Sequence, residues 1–528
     1  MLDLTRLTEA IRHEGGVSRR LFLAYAASLS ALPWLGQQVR GATRRAAFAS
    51  DPFRVGIASG DPTETGVALW TRLAPQPLEP TGGLGSENVE IAWEVAADET
   101  MQRVLQRGTA VATPQLGHSV HVEVDGLEPN RWYWYRFRAG DAESPIGRTR
   151  TLPTADAMPP ELRFAVASCQ DYEAGLYTAY QHMAEEEVDF VLHLGDYIYE
   201  YGGEDDRVRK HVGGEIVSLS DYRIRHSQYK TDPLLQAMHA RCPWLVTWDD
   251  HEVENNYAGG VAEDQGIDPV AFLVRRAGAY QAYYENMPLR KTSLPSGPNL
   301  QLYRKFRFGQ LAEFNILDTR QYRTDQCNED GICDVNDAAC APGNSLLGTK
   351  QRDWLEASLR GSPATWNVLA QQVMMGMVDV EPGDVRRYFM DQWTGYVHER
   401  ARLLQLCVDQ KVSNPIVLTG DYHANWVNNL RLDDRRSETP VLATEFVGTS
   451  ISSEGNGARF PKNWQETLAE NPCVRFLNQE RGYVRCTVTP SAWRSDFRTV
   501  PYVTRPGAPI VTRATYVVES GRPGAELA

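Results

Sequence analysis

Four apolar runs in this chain each stop on a side chain that binds metals. "FAVAS" ends at Cys169, "VLHLG" at Asp196, "LVTW" at Asp249, Asp250 and His251, and "IVLTG" at Asp421 and His423. Short runs of Val, Leu, Ile and Phe bounded by Gly, Asp and Ser read as buried strands. In open α/β folds ligands gather outside the carboxyl ends of the strands, so endings far apart in sequence can meet there. Singly, each has a plain structural reading. A Gly-Asp pair makes a turn or caps a helix, a buried Cys acts as a small apolar residue, and Tyr199 alone is a sheet aromatic. Four such endings in one chain point to one convergent site.

The surrounding pattern gives that site an α/β frame. "RFAVASC", "LYTAYQHMAEEEV" and "DFVLHLGD" read as strand, helix and strand, and further strands follow at "FNILDTR" and "WNVLAQQV". Helical periodicity marks "AFLVRRAGAYQAYYENM", "KQRDWLEASL" and "VHERARLLQLCVDQ". We therefore expect an α/β catalytic domain over residues 160–510 and a C-terminal tail over 511–528, weakly ordered after Ser520. Residues 50–153 alternate apolar and polar positions between Gly, Pro and Asp turns, the signature of a small all-β sandwich. Its Gly126–Tyr135 run resembles the corner of a fibronectin type III domain. Trp70 and Trp93 are expected in its core, with a carbohydrate platform as the lesser reading.

At 528 residues the chain exceeds one ordinary core, and its formal charge of −14 disfavours a nucleic acid or an anionic membrane as a stable partner. Residues 1–49 read as a twin-arginine export signal. Ser18, Arg19 and Arg20 precede a short apolar run broken by Pro33, with small residues Ala47 and Ala49 at the cleavage region. The reading implies the export machinery as a partner, a periplasmic or extracellular location, and no integral membrane segment in the mature protein. In an exported chain, Cys327, Cys333 and Cys340 within one polar loop are expected to form a disulfide staple, since their spacing matches no zinc pattern.

The segments "VASCQDYEAG", "LHLGDYIYEYG", "TWDDHEVENNYAG", "ILDTRQYR", "LTGDYHANW" and "EFVGTSISSEG" resemble, in order, the motifs of the alkaline phosphatase D (PhoD-like) family of metallophosphoesterases. The resemblance spans nearly the whole chain. It implies a calcineurin-like αββα sandwich of two sheets, preceded by a fibronectin- or Ig-like β-sandwich domain. It also implies Fe³⁺ held by Cys169, Asp196, Tyr199 and His423, and Ca²⁺ nearby with Asp250 and Asp421 as further ligands. Zn or Mn are the alternative metals. His251 takes the place of a histidine that contacts phosphate or the leaving group, and with Asp196 it is the expected catalytic pair. Purple acid phosphatases fit less well, because their first motif carries Asp where this chain has Ser-Cys.

The chemistry agrees with those implied roles. A phenol ionises near pH 10, so Tyr199 serves as an anionic ligand only beside a strong positive charge. Thiolate favours iron or zinc, while carboxylates and amides such as Asn255 or Asn256 suit calcium. The expected function is a secreted phosphoesterase acting on monoesters, diesters or both by metal-activated in-line attack. Two alternatives are a specialised phosphodiesterase or phospholipase of envelope polymers or lipids, and a non-catalytic envelope binding protein. Arg320, Tyr322, Glu445, Ser452, Ser453 and Trp426 are weaker candidates for pocket residues.

Overall fold

The computed structural model describes residues 48–528, so the export motif at Ser18–Arg20 lies outside the described residues. Two large sheets organise the chain. The ten-stranded sheet runs Arg522–Leu527, Val511–Glu519, Ala492–Val500, Arg481–Val488, Leu162–Ala167, Phe190–Leu194, Trp244–Thr247, Ile57–Gly60, Val67–Arg72 and Ser119–Val124. The seven-stranded sheet runs Arg304–Phe308, Ala312–Ile316, Trp366–Ala370, Pro415–Thr419, Ala443–Val447, Asn425–Leu430 and Val474–Asn478. The middle of each sheet is parallel, as apolar strands alternating with helices require.

Period-two alternation sets the layers. Phe164, Val166, Leu192, Leu194 and Leu245 face Phe314, Ile316, Val368, Ile416 and Leu418 in one buried layer between the sheets. The intervening residues Ala165, Val191, Trp244 and Val246 face the other way. They pack on Tyr180 and Met183 of the helix Thr178–Glu185, Met238 of Pro233–Arg241, and Tyr280 and Tyr283 of Pro269–Asn286. Across the seven-stranded sheet, Leu369 and Val417 pack on Leu355 of Gly348–Arg360 and Leu404 of Val397–Asp409.

The N-terminal unit departs from the expected separate sandwich. Ile57–Gly60, Val67–Arg72 and Ser119–Val124 extend the ten-stranded sheet, joined to it where Gly60 pairs with Trp244 in parallel. A five-stranded sheet built on Val89–Ala96, Val104–Ala112 and Trp132–Ala139 closes over them. Ile57, Leu69 and Val122 meet Ile91, Val95, Tyr135 and Phe137 in its core. Glycine makes the seam possible, because a Cβ at position 60 would lie 2.5 Å from the Pro288 carbonyl and 2.6 Å from that of Trp244. Trp70 is buried at this junction and donates to the Glu285 carbonyl at 2.9 Å.

Two expectations are corrected. Residues 511–528 are not a tail: Val511–Glu519 and Arg522–Leu527 are the last two strands at one end of the ten-stranded sheet and bury Tyr516, Val518 and Ala525 in the layer between the sheets. Ser520 and Gly521 supply the turn between them, and Pro523 and Gly524 interrupt the pattern of the second strand. Cys327, Cys333 and Cys340 are free thiols. Cys327 and Cys333 instead pack with Tyr388 and Met390 in a small apolar cluster.

Candidate metal centre

The carboxyl ends of the parallel strands from both sheets open onto one cleft. Polar side chains join the sheets there: Thr247 donates to the Leu317 carbonyl at 2.9 Å, and Gln372 donates to Thr247 Oγ1 at 2.9 Å and to the Trp248 carbonyl at 2.8 Å. Directly after their strands, Cys169, Asp196, Asp421 and His423 adopt left-handed backbone, with φ of 57°, 54°, 57° and 54°. Each such non-glycine residue costs about 1–2 kcal/mol, and strain of this kind clusters at functional sites. These bends turn the side chains toward one point. Glu252 holds the arrangement, accepting the backbone N–H groups of Asp249 at 2.9 Å, Asp196 at 3.1 Å and Tyr197 at 2.6 Å.

Three overlapping clusters result. Cys169, Asp196 and His423 each offer a ligand atom within 4.8 Å of the others, as do Asp196, Asp250 and His251, and Asp249, Asp250 and Asp421. Asp196 and Asp250 are shared, so the clusters form adjoining sites. Tyr199 Oη lies 3.1 Å from Asp196 Oδ2 and 3.1 Å from His423 Nε2, and accepts a hydrogen bond from Ser453 Oγ at 2.7 Å. Every expected ligand is therefore in one place. Asp249 is committed elsewhere, to Arg320 Nε at 2.5 Å.

The residues fit cations. Asp196 Oδ1, Asp249 Oδ2 and Asp250 Oδ1 are buried without a hydrogen-bond partner, an expensive state for carboxylate oxygens unless positive charge faces them. Burial, then the Asp196 charge, pushes the Cys169 thiol and the Tyr199 phenol well above their ordinary ranges. Burial likewise raises Asp196, against the pull of His251. Burial would raise Asp250 too, but Arg320 and His251 more than offset it and hold that carboxyl below its usual range. A multivalent cation beside these groups would reverse the upward shifts and make thiolate, phenolate and carboxylate ligands. The donor set divides chemically: Cys169, Tyr199 and His423 suit a trivalent or soft ion, and Asp250 and Asp421 a hard one.

Arg320 is the fixed counter-charge of the cleft. Fully buried, it forks onto Asp391 at 2.8 and 2.9 Å and also lies 3.6 Å from Asp250 and 3.5 Å from Asp421. Gln392, next to Asp391, donates to Asp421 Oδ2 at 2.7 Å. His251 gives its Nδ1 to Glu200 Oε2 at 2.7 Å and stacks on Tyr199 with ring centroids 4.2 Å apart. Burial disfavours charge on this imidazole, but Glu200, Asp250 and Asp196 together hold it well above the usual histidine range. Asn256 donates its backbone N–H to Asp250 Oδ2 at 2.8 Å, while the Asn255 amide turns to Glu263 at 2.6 Å.

The weaker candidates separate. Glu445 is structural, accepting from Met375 N–H, Gly376 N–H, Thr419 Oγ1 and Asn428 Nδ2. Tyr322 packs on Tyr303, Ser452 donates to the Asp171 carbonyl, and buried Trp426 meets Tyr422 edge-to-face. Only Ser453 and Arg320 act at the centre. Glu200, Glu252 and Gln392 were missed, although Glu200 and Glu252 stand inside the segments that carry the ligands.

Family models match most of the chain. A model described as PhoD-like phosphatase matches residues 164–497, and one described as PhoD-like phosphatase, N-terminal domain, matches residues 38–153. The chain is 52% identical over 482 residues to alkaline phosphatase D of Bacillus subtilis (strain 168), covering 90% of this chain and 82% of that protein. A solved structure of PhoD superposes with a TM-score of 0.89 at 51% identity, covering 92% of this chain and 93% of that one.

Proposed function

The chain belongs to the PhoD-like phosphatase family and is a phosphoric ester hydrolase, and from that premise we propose that its hydrolysis depends on two metals held at the strand ends. Cys169, Asp196, Tyr199 and His423 would hold Fe³⁺. Asp250 and Asp421, together with Asp196, would hold Ca²⁺, with Zn or Mn as substitutes. The observation that carries this reading is the set of buried carboxylate oxygens without partners, on Asp196 and Asp250, facing a thiol, a phenol and an imidazole. When bound, the cations supply Lewis acidity that neutralises phosphoryl oxygen charge and acidifies water for in-line attack.

The chain's own groups do the rest. Arg320 orients Asp250 and holds it anionic, and with Gln392 it orients Asp421 and opposes the burial that raises that carboxyl. With Nδ1 committed to Glu200, His251 presents Nε2 to the cleft, where it donates a proton to the departing alkoxide. A histidine whose Nδ1–H is fixed by a carboxylate keeps one ring orientation, so the proton is delivered from one side.

On the same reading the two layered sheets with outer helices are a calcineurin-like αββα sandwich. Residues 50–153 and 160–510 form its N-terminal and catalytic units, the latter extended by the terminal strands, and residues 1–49 direct twin-arginine export to the periplasm or medium. Among the described residues no helix is long and apolar enough to cross a membrane. The test is hydrolysis of p-nitrophenyl phosphate and bis-p-nitrophenyl phosphate by wild type, Asp196→Asn and His423→Ala. Both variants are expected to fold, to bind less metal and to lose hydrolysis. Wild-type turnover by either would remove the site assignment, and the ratio of the two wild-type rates reports monoester against diester preference.

A further inference from the structure

Three tyrosines follow Asp196, and the structure gives them three different environments. Tyr197 is buried, its hydroxyl 2.7 Å from His239 Nε2 and 3.1 Å from Lys230 Nζ. Tyr199 lies in the metal centre. Tyr201 is 47% exposed, yet it is not loose. Its carbonyl accepts from Arg225 Nη1 at 2.8 Å and faces His211 Nδ1 at 3.1 Å, both from buried side chains. Its ring meets the imidazole of His251 edge-to-face, with centroids 5.4 Å apart and planes at 64°. The charges that act on its phenol are acidic, Glu200, Asp250, Glu263 and Asp196, while the Arg225 guanidinium meets its backbone carbonyl. An exposed ring beside the residue on the leaving-group side offers a face that a second ring can cover.

We propose that Tyr201 is a specificity-determining residue, the platform on which a ring-bearing leaving alcohol, aryl or sugar, lies as its phosphate ester is cleaved. Acidic neighbours make this wall unsuited to the phosphate anion and leave it for the neutral part of the ester. A flat π-face favours a flat or ring-shaped partner over a flexible chain, because stacked pairs gain beyond their buried area and a rigid ring loses less entropy on ordering. The proposal rests on the reading that places His251 on the leaving-group side.

The test compares wild type, Tyr201→Ala and Tyr201→Phe on 1-naphthyl and n-propyl esters, each as the phosphate monoester and its methyl diester, by release of the alcohol. Wild-type turnover of both esters establishes phosphoester hydrolysis independently of Tyr201. Tyr201→Ala is expected to lose about threefold to tenfold in kcat/KM on the naphthyl ester, mainly through KM, and to stay within about twofold on the propyl ester. Tyr201→Phe is expected to retain the naphthyl preference. Equal losses on both esters would overturn the proposal and assign the ring to holding His251. Unchanged kinetics on both would overturn it as well. Melting temperatures of the variants separate either result from misfolding.

Discussion

Gly195 is the residue on which the centre turns. Its φ is +107°, and a Cβ there would lie 2.5 Å from both the Cβ and the backbone nitrogen of Asp249. Gly195→Ala therefore has to displace one strand ending against the other. A shift of about 1 Å in a catalytic group can cost on the order of 100-fold in rate. We expect a loss of that order in kcat/KM while the circular dichroism spectrum is kept, and near-native activity would show that the close approach is not needed. Arg320 makes the complementary case. Arg320→Met leaves Asp249 buried without its cation, which should cost about 3–5 kcal/mol in urea unfolding, and a loss under about 1 kcal/mol would show that the network is dispensable. Cys169, Asp196, Asp250, Asp421 and His423 were legible as candidate ligands because each stands at or just past the end of an apolar run, a purely local signal, whereas the role of Tyr199 came from the family resemblance. Glu200, Glu252 and Gln392 carry no such signal: what makes them functional is a partner 51 residues away for Glu200, 56 for Glu252 and 29 for Gln392, a relation only the folded chain contains.

Among the elements, strands were easier to read than helices wherever burial was complete. The helix Leu219–Lys230 shows why. It buries Arg225, His226, Gln228 and Lys230 alongside two tyrosines, so it has no apolar stripe, and its clearest mark is the Ser218–Asp221 capping box. The terminal strands were misread for a different reason. Their inward residues are few, and Val511–Glu519 is exposed or half-exposed at most positions. Their place in the sheet gives a direct prediction: a chain ending at residue 510 exposes the Ala492–Val500 edge and uncovers the layer between the sheets, so it should aggregate or melt at markedly lower temperature. A soluble, fully stable truncated enzyme would contradict the topology. Gly60 is tested similarly. Gly60→Ala overpacks the seam between the N-terminal strands and Trp244, with an expected cost of about 1–3 kcal/mol in chemical denaturation.

For the whole molecule, buried basic groups make stability rise with pH. Burial lowers His193 and His211 to about 3 and His121 to about 4, from an ordinary 6.5. Below that ordinary value the unfolded chain takes up protons that the folded chain refuses, so stability is full above 6.5 and falls as the pH drops toward 3–4. Burial also brings Lys230 from 10.5 to about 7, and its ammonium lies over the Trp70 ring at 4.4 Å. The sign is the same. Between about 7 and 10.5 the folded lysine is neutral while the unfolded one is charged, so stability climbs through that window, with a limiting slope of about 1.4 kcal/mol per pH unit. Lys230→Met should flatten that alkaline climb in denaturation curves taken at several pH values, and an unchanged profile would refute the assignment.

The central claim, metal-dependent phosphoester hydrolysis at the strand ends, is tested most directly by measuring metal content and p-nitrophenyl phosphate hydrolysis on one sample. Both are followed before and after chelation and after return of iron and calcium. Activity is expected to disappear with the metals, to return with them, and not to return in Asp196→Asn treated identically. Undiminished hydrolysis by metal-free protein would contradict that claim.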